Sequence, residues 1–247
     1  MTYYNRLIYD DKEYRKTTSI RQIKITKSFN GTTVTPEVIK KCFEFSYNMA
    51  VNSLNREHRS GGTHNRTQLE IFWDTFRGKI AECVAYEYYK SKNCKVSDLD
   101  FNYYPRGTWD SFDMNVNGSH ISVKSTKHFG QLLLLEVDDW SETGKYIPNK
   151  DKEIEYNYFL LVRTQIKNPD NLKEGNLPEK EVLRQQCLTL NIQGEVTGTL
   201  SHRDFVDIII KYKYIIQKGQ KLGKTTRMDA CNYYIHAADL EKPDKII

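Results

Sequence analysis

The 247-residue chain is predicted to be an α/β (α+β) protein with a central mixed β-sheet flanked by helices. Three observations predict this class. Asn117-Gly118 joins two segments in which apolar and polar residues alternate, as in a hairpin. A capping signal at Thr67 precedes apolar residues at helical spacing, and apolar runs of strand length occupy residues 132–137 and 157–164. An order of helix, hairpin, strand and strand is typical of a mixed sheet between helices.

The composition favours one domain over residues 1–247 that works inside the cell. With 38% hydrophobic and 28% charged residues, the chain can bury one sizeable core. Its 37 basic and 32 acidic residues give a net charge of +5, which is compatible with a nucleic-acid partner. The five cysteines show no zinc-like spacing, and neither a signal peptide nor a membrane span is evident. We therefore expect free thiols, a cytoplasmic location and no membrane contact.

The N-terminal part, residues 1–66, is predicted to be mainly helical. Residues 20–25 suggest an edge strand or arm. Thr35, with a proline and a glutamate after it, opens a helix that runs to about Val51. Val38, Cys42, Phe45 and Met49 are expected to face inward. Residues 55–66 are predicted to form a polar loop, either simply solvated or in contact with the phosphates or bases of DNA.

A second helix starts at the capping box of Thr67 and Glu70. Its apolar stripe consists of Phe72, Phe76, Ile80, Val84 and Tyr88. Gly78 weakens a helix by about 1 kcal/mol relative to alanine, so we expect another backbone to pass close to it. Glu82 would project from this helix towards the hairpin.

The hairpin of residues 112–127 divides into two faces. In the register set by the Asn-Gly turn, Met114 lies opposite Ile121, Asp113 opposite Ser122 and Phe112 opposite Val123. Phe112, Met114, Val116, Ile121 and Val123 share the apolar face, whereas Asp113, Asn115, Ser122 and Lys124 share the polar face. The polar face is either a site or a solvated surface that carries a lysine–aspartate pair.

The later elements follow from similar patterns. Residues 132–137 and 157–164 are predicted strands of the buried sheet, and residues 167–180 form a loop. The extension over residues 181–247 contains predicted strands at 187–192 and 195–200, a helix capped by Ser201 that includes Ile215 and Ile216, a basic loop at 217–227 and a strand at 232–236.

These motifs together resemble the PD-(D/E)XK nuclease superfamily, and within it the type II restriction endonucleases. The resemblance rests on Gly78-Lys-Ile-Ala-Glu82, the strand Asp113 and Ser122-Val-Lys124, and covers about residues 67–165, the expected catalytic core. It implies a restriction-endonuclease-like core in which Asp113 and a second acid bind a divalent metal and Lys124 acts on the attacking water. Glu82 would complete the metal shell.

The chain departs from this family at Ser122, where an aspartate or glutamate is usual. Serine brings no negative charge to a metal, so a displaced acid must replace it, or the protein does not cut. Glu82 is the first candidate for this role and Glu136 the second. Asp110 is a rival for the place of Asp113, but it has the wrong parity on the strand.

The expected activity is Mg²⁺-dependent hydrolysis of phosphodiester bonds in double-stranded DNA by a sequence-specific homodimer. Asp113, Glu82 and the backbone carbonyl of Val123 would bind Mg²⁺ through hard oxygens, and Lys124 would orient water, deprotonate it or stabilise the transition state. Two alternatives remain: a repair or recombination nuclease of the same superfamily, and an inactive DNA-binding protein. Candidate DNA contacts are Arg56, Arg59, His64, Arg66, Arg106, Lys127, His128, Lys224 and Arg227.

Overall fold

The fold is described from a computed structural model for residues 4–9, 20–23, 25–52, 66–102, 112–148, 155–167, 175–223 and 226–247. The helices are α1 (Pro36–Val51), α2 (Gln68–Ser91), α3 (Lys180–Leu188) and α4 (His202–Asp204), which continues as a π-helix over Phe205–Ile210. Short 3-10 helices occupy Val137–Asp139 and Pro243–Ile246. The strands are β1 (Ile8–Tyr9), β2 (Ile20–Gln22), β3 (Thr32–Thr33), β4 (Met114–Val116), β5 (Ser119–Lys127), β6 (Leu132–Glu136), β7 (Tyr158–Gln165), β8 (Gln193–Ser201), β9 (Ile215–Ile216), β10 (Lys221–Leu222), β11 (Thr226–Arg227) and β12 (Asn232–His236).

Helix α1 begins and ends at the predicted residues. The Thr35 hydroxyl accepts a hydrogen bond from the Val38 backbone N–H, so one of the unpaired donors of the first turn is satisfied. Cys42 and Phe45 are buried, as predicted, whereas Val38 and Met49 are only half-buried.

Helix α2 begins at the predicted capping box. The Thr67 hydroxyl accepts a hydrogen bond from the Glu70 N–H at 3.2 Å, and the Glu70 carboxylate accepts one from the Thr67 N–H at 2.8 Å. The first part of the apolar stripe, Phe72, Phe76 and Ile80, packs in one core cluster with α1. Further along, the helix turns its apolar side towards the sheet, so α2 connects the two layers.

The central sheet is mixed, as predicted. Its order is β4-β5-β7-β8-β3, with β5 and β7 parallel and the other neighbours antiparallel. An isolated bridge between Val96 and Val116 extends the sheet at the β4 edge. The parallel pair requires a crossover, and the crossover from β5 to β7 contains β6.

Different layers cover the two faces of the central sheet. On one face, Ala81 and Ala85 of α2 lie in a core cluster with Met114, Ile121 and Leu160. On the other face, Phe159 and Leu161 belong to a cluster that includes the π-helix and a second sheet of order β6-β12-β9. Helices and sheet therefore enclose the central sheet, in agreement with an α+β class.

The prediction that residues 132–137 join the central sheet is wrong. A tight turn, in which the Gly130 N–H donates to the Lys127 carbonyl at 2.7 Å, reverses the chain, and β6 then pairs with β12. The apolar run of β6 supplies buried leucines such as Leu133 and Leu135 to the cluster over the central sheet. A second layer of sheet explains this burial as well as a central strand would.

Two predictions in the C-terminal part are also wrong. Residues 187–192 are not a strand, because α3 ends there with Leu183 and Cys187 packed in the core at four-residue spacing. The helix at Ser201 is capped as predicted, with the Asp204 N–H donating to the Ser201 hydroxyl, but it does not reach residue 215.

Ile215 and Ile216 instead form β9, which pairs with β12. The predicted strand at residues 232–236 is confirmed as β12. The predicted basic loop contains β10 and β11, which form a four-stranded sheet with β1 and β2. Over the described residues, no helix is both long and apolar enough to cross a membrane.

Candidate functional site

The two strands of the hairpin separate at Asp113. Met114 pairs with Ile121, as predicted, and no later pair joins β4 and β5 within the described residues. In continued pairing, Val123 would exchange backbone hydrogen bonds with Phe112. Instead, the Val123 N–H donates to Asp113 Oδ2 at 2.7 Å. The predicted Phe112–Val123 pair is therefore wrong, because the Asp113 side chain takes the place of the backbone partner.

One oxygen of Asp113 is held, and the other has no described partner. Oδ2 accepts the bond from Val123 and also lies 3.4 Å from the hydroxyl of Ser122, which is only 1% exposed. No described residue donates a hydrogen bond to Oδ1. The carboxylate of the half-buried side chain is thus fixed in orientation through one oxygen, and its second oxygen accepts no hydrogen bond from the part of the chain that the structure describes.

The Val123 carbonyl faces the same gap. The N–H and C=O groups of one strand residue point to the same side of the strand. Since the Val123 N–H points to Asp113, its carbonyl oxygen also points towards the space that β4 leaves. The gap therefore offers two hard oxygens, one from Asp113 and one from Val123.

Lys124 lies on the same side of β5 as Ser122. The alternation of side chains places His120, Ser122 and Lys124 on one face of the strand. Diagonal neighbours on paired strands are about 7–8 Å apart, which is the expected separation of Lys124 from Asp113. Lys124 is half-buried, and no hydrogen bond or ion pair joins its ammonium to another described residue.

Phe112 covers this face instead of the opposite one. Its ring stacks on His120 with a centroid distance of 4.4 Å and an interplanar angle of 9°. The prediction that Phe112 shares the apolar face with Met114 is wrong, because the bend at Asp113 interrupts the alternation. The stack lies beside Asp113. Strict alternation of side chains could not predict it, because the bend at Asp113 moves Phe112 to the other face.

Glu82 forms an ion pair within its own helix. Its Oε2 lies 2.6 Å from Lys79 Nζ, which also donates to the Asp100 carbonyl at 2.8 Å. Lys79 is 9% exposed and lies over the rings of Phe45 and Phe101. Helix α2 covers the face of the sheet opposite to Lys124, so Glu82 can serve the same site only at the sheet edge.

No described backbone passes close to Gly78. A Cβ added there would meet no described heavy atom within 4 Å. The expected close approach is therefore not found among the residues that the structure describes.

Glu136 and Asp110 are the other two acids that the sequence offers for metal binding. Glu136 is on β6, in the second sheet, where it pairs in register with Asn232. Asp110 is outside the described residues. Among the residues that the structure describes, no group of three or more His, Cys, Asp or Glu side chains could together hold a metal ion. A site at Asp113 would therefore depend on backbone and water oxygens as well.

Four of the predicted DNA contacts fall within the described residues. Arg66 pairs with Asp74 at 3.2 Å and is largely buried. Lys127 is exposed at the end of β5, with the half-buried His128 next to it, and Arg227 is exposed on β11. The other candidates, Arg56, Arg59, His64, Arg106 and Lys224, lie outside the described residues.

No family model, curated protein sequence or solved structure matches this chain. A function must therefore be inferred from the residues and the geometry of the chain itself.

Proposed function

We propose that this protein is a Mg²⁺-dependent endonuclease that hydrolyses phosphodiester bonds in double-stranded DNA, in the manner of a type II restriction enzyme with a restriction-endonuclease-like core. The observation that carries the proposal is the gap between β4 and β5. There Asp113 has one oxygen held by Val123 and a second oxygen with no partner among the described residues, and Lys124 lies on the adjacent face. The order of helix, acid and lysine matches the resemblance found in the sequence.

The donor atoms at the gap suit Mg²⁺. This ion prefers oxygen ligands, uses one or two carboxylates and keeps several waters. Asp113 and the Val123 carbonyl would hold it, with Glu82 as the second carboxylate. When bound, Mg²⁺ supplies positive charge for the phosphate and an activated water.

The chain's own residues would then act on the phosphate. The Lys124 ammonium can donate hydrogen bonds to the attacking water or to a non-bridging oxygen, whose negative charge increases as the P–O bond to water forms. The bond from phosphorus to the 3′ oxygen would break in the same displacement, the attacking water would lose its proton to bulk solvent, and the departing 3′ oxygen would take up a proton from bulk solvent. The hydrogen bonds from Val123 and Ser122 keep the Asp113 carboxylate in one orientation, which reduces the reorganisation that the reaction requires.

An edge position is open to both faces of a sheet, and this suits the proposed role of Glu82. Helix α2, which carries Glu82, lies on one face of the sheet, and Lys124 lies on the other. The side chains of Glu82 and Lys124 can therefore both approach a site at the edge. In the structure, the Glu82 carboxylate is held in an ion pair with Lys79. With Mg²⁺ bound, the negative charge of Glu82 would be shared between Lys79 and the ion.

DNA would be positioned by the exposed basic residues Lys127 and Arg227, together with the basic residues outside the described ranges. We further propose a homodimer, because two related sites cut both strands of a palindrome most simply.

The experiment is incubation of the purified protein with long unmethylated DNA and Mg²⁺, followed by electrophoresis. We expect discrete bands that disappear in EDTA. Asp113→Ala and Lys124→Ala should each reduce the cleavage rate by about 10²- to 10⁴-fold.

Matched controls are Asp98→Ala and Lys95→Ala, which remove an exposed acid and an exposed lysine on either side of the bridge residue Val96. Both controls should cut at the wild-type rate. A smear in place of bands would favour the repair or recombination nuclease. Equal cleavage by Lys124→Ala and Lys95→Ala would contradict the proposed site.

A second candidate function is DNA binding without cleavage. It is favoured by one observation: the Glu82 carboxylate already neutralises the buried Lys79, which is a structural role. Tight DNA binding with no cleavage under any divalent metal would support this second function.

A further inference from the structure

Phe129 is an exposed aromatic residue in the turn that follows β5, the strand that carries Lys124. Its exposure of 65% is the highest among the large hydrophobic residues that the structure describes. Single exposed apolar residues are common on protein surfaces and by themselves need no explanation. Phe129 differs from that case because its ring packs against His128, which in turn packs against Phe29.

The turn that carries Phe129 is rigid. The Gly130 N–H donates to the Lys127 carbonyl at 2.7 Å, which closes the turn. A Cβ at Gly130 would lie 2.3 Å from the Thr126 hydroxyl oxygen and 3.0 Å from the Lys127 carbonyl oxygen, so the turn has no room for a side chain. Phe129 is therefore presented in a defined position.

A row of rings supports Phe129. His128 makes an edge contact with Phe129 at 5.1 Å and another with Phe29 at 5.8 Å. Beneath Phe29, at 5.7 Å from its centroid, lies the guanidinium of Arg163, which is fully buried. Arg163 donates to the carbonyls of Lys27 and Ser28 at 2.7 and 2.6 Å, so it anchors the segment that carries Phe29.

The charge beside Phe129 is positive. The Lys127 ammonium lies 5.9 Å from the Phe129 ring centroid, and Lys127 is exposed. An exposed aromatic ring combined with a cation is the arrangement by which proteins stack on unpaired nucleobases while they contact the neighbouring phosphate.

The position of the turn relative to Lys124 fits one bound nucleic acid. Both lie on β5 or at its end, and Lys127 is about 10 Å along the strand from Lys124 at the usual rise per residue. Side-chain alternation places Lys127 on the opposite face from Lys124, at the exposed end of the strand, so a nucleic acid that contacts both passes around this end. At 3.4 Å per nucleotide of one DNA strand, this separation spans about three nucleotides.

We propose that Phe129 stacks on a base that is rotated out of the DNA helix a few nucleotides from the scissile phosphate, so that a duplex that already carries an unpaired base there is bound more tightly than a fully paired one. This inference rests on the proposed function, because it takes DNA as the ligand. Lys127 contacts the phosphate of the displaced nucleotide, and His128 with Phe29 supports the ring. Phe129 acts in binding and not in the chemical step.

The test measures binding of the full-length protein to short duplexes in EDTA, where no cleavage occurs. One duplex is fully paired and the other carries a single bulged 2-aminopurine. We expect tighter binding to the bulged duplex, by about tenfold or more, because the unstacking cost is already met. The 2-aminopurine fluorescence should fall on binding as the base stacks on Phe129.

Phe129→Ala should weaken binding to the bulged duplex by about 5- to 150-fold. It should leave binding to the paired duplex nearly unchanged and abolish the fluorescence change. Phe129→Trp should restore both. Val182→Ala, which shortens a 51% exposed side chain on α3, is the matched control and should bind as wild type.

Equal affinity of the wild type for the two duplexes, or an unchanged fluorescence response in Phe129→Ala, would overturn the inference. Cleavage of DNA without preference for the bulge would overturn it and leave the nuclease proposal intact. Preferential binding of the bulge without cleavage in Mg²⁺ would support the inference and contradict the nuclease proposal.

Discussion

At the residue scale, the candidate site depends on one hydrogen bond in which a side chain replaces the backbone acceptor. A side-chain carboxylate, Asp113, accepts the N–H of Val123 that a neighbouring strand would otherwise accept. This exchange satisfies a half-buried backbone donor, and at Val123 it leaves β5 without a strand partner on that side among the described residues. The same residue thus explains why β4 ends and how an acid is oriented beside Lys124.

Ser122→Asp tests whether the gap between β4 and β5 binds a cation. The new carboxylate would lie beside Asp113, and two adjacent carboxylates repel each other. We expect the variant to unfold at a lower temperature than the wild type in EDTA and to regain stability when Mg²⁺ is added, because binding to the folded state stabilises it. Thermal unfolding with and without Mg²⁺ measures this.

Ser125→Asp is the matched control, since Ser125 is exposed and on the other face of β5. It should show no stabilisation by Mg²⁺ beyond that of the wild type. An equal response of the two variants would contradict a cation site at Asp113.

Arg163 is a second residue whose role is visible only in the structure. It is fully buried and pairs with Glu195 at 2.6 Å, and it also donates to Thr197 and two backbone carbonyls. Arg163→Met would leave Glu195 without its charged partner in the interior. We expect a loss of about 3–5 kcal/mol in the free energy of unfolding, measured by urea denaturation.

Arg203→Met is the control for that substitution. The Arg203 side chain is 87% exposed and lies 3.6 Å from Asp207 on the surface of α4 and the π-helix. Its loss should cost less than about 1 kcal/mol. Similar losses in the two variants would mean that burial of Arg163 does not determine its importance.

At the element scale, the position of α2 over the sheet depends on Gly194 in β8. A Cβ at Gly194 would lie 2.3 Å from Val84 Cγ2, and no positive φ is involved. We expect Gly194→Ala to push α2 from the sheet and to cost about 1–3 kcal/mol in the free energy of unfolding.

Val84→Ala removes the methyl groups that would clash, so the double variant should be more stable than the sum of the two single effects predicts. Urea denaturation of the four proteins completes the cycle. Additive losses would show that the contact between Gly194 and Val84 does not limit the approach of α2.

Local signals account for the elements that the sequence predicted well. The Thr67–Glu70 capping box, the Thr35 cap and the Asn117-Gly118 turn each act within a few residues, so their structures can be predicted from neighbours alone. Residues 187–192 have strand-like composition, yet α3 occupies their first part. Leu183 and Cys187 pack against residues that are distant in the sequence, so local patterns could not predict this helix.

At the scale of the whole molecule, the sequence could not assign strands to sheets. The apolar run of β6 predicts burial, and burial in a second layer over the central sheet satisfies it equally well. For the same reason the sequence placed Asp113 and Lys124 on one side of the hairpin but did not predict the open edge beside Val123. The edge depends on where two strands separate, which is a long-range property.

The second sheet also contains a group that should make the whole fold sensitive to acid. His236 on β12 is 2% exposed, and burial lowers its pKa despite Asp239, whose carboxylate lies 3.7 Å away. In the unfolded chain, His236 takes up a proton near its ordinary pKa of 6.5, whereas the folded state resists protonation. The free energy of unfolding should therefore decrease as the pH falls below about 6.5.

His236→Gln removes this titration. We expect the free energy of unfolding of the variant to change less between pH 7 and pH 5.5 than that of the wild type, as measured by urea denaturation at each pH. If the two proteins lose the same stability over this range, His236 does not cause the acid sensitivity.

We propose that the gap between β4 and β5 binds a divalent metal for phosphodiester hydrolysis. The most direct measurement is the anomalous difference map of a crystal soaked in Mn²⁺, which substitutes for Mg²⁺ at oxygen sites. We predict a peak about 2.0–2.6 Å from Asp113 Oδ1 that is absent in crystals of Asp113→Ala. No peak at Asp113, or an unchanged peak in the variant, would contradict the account.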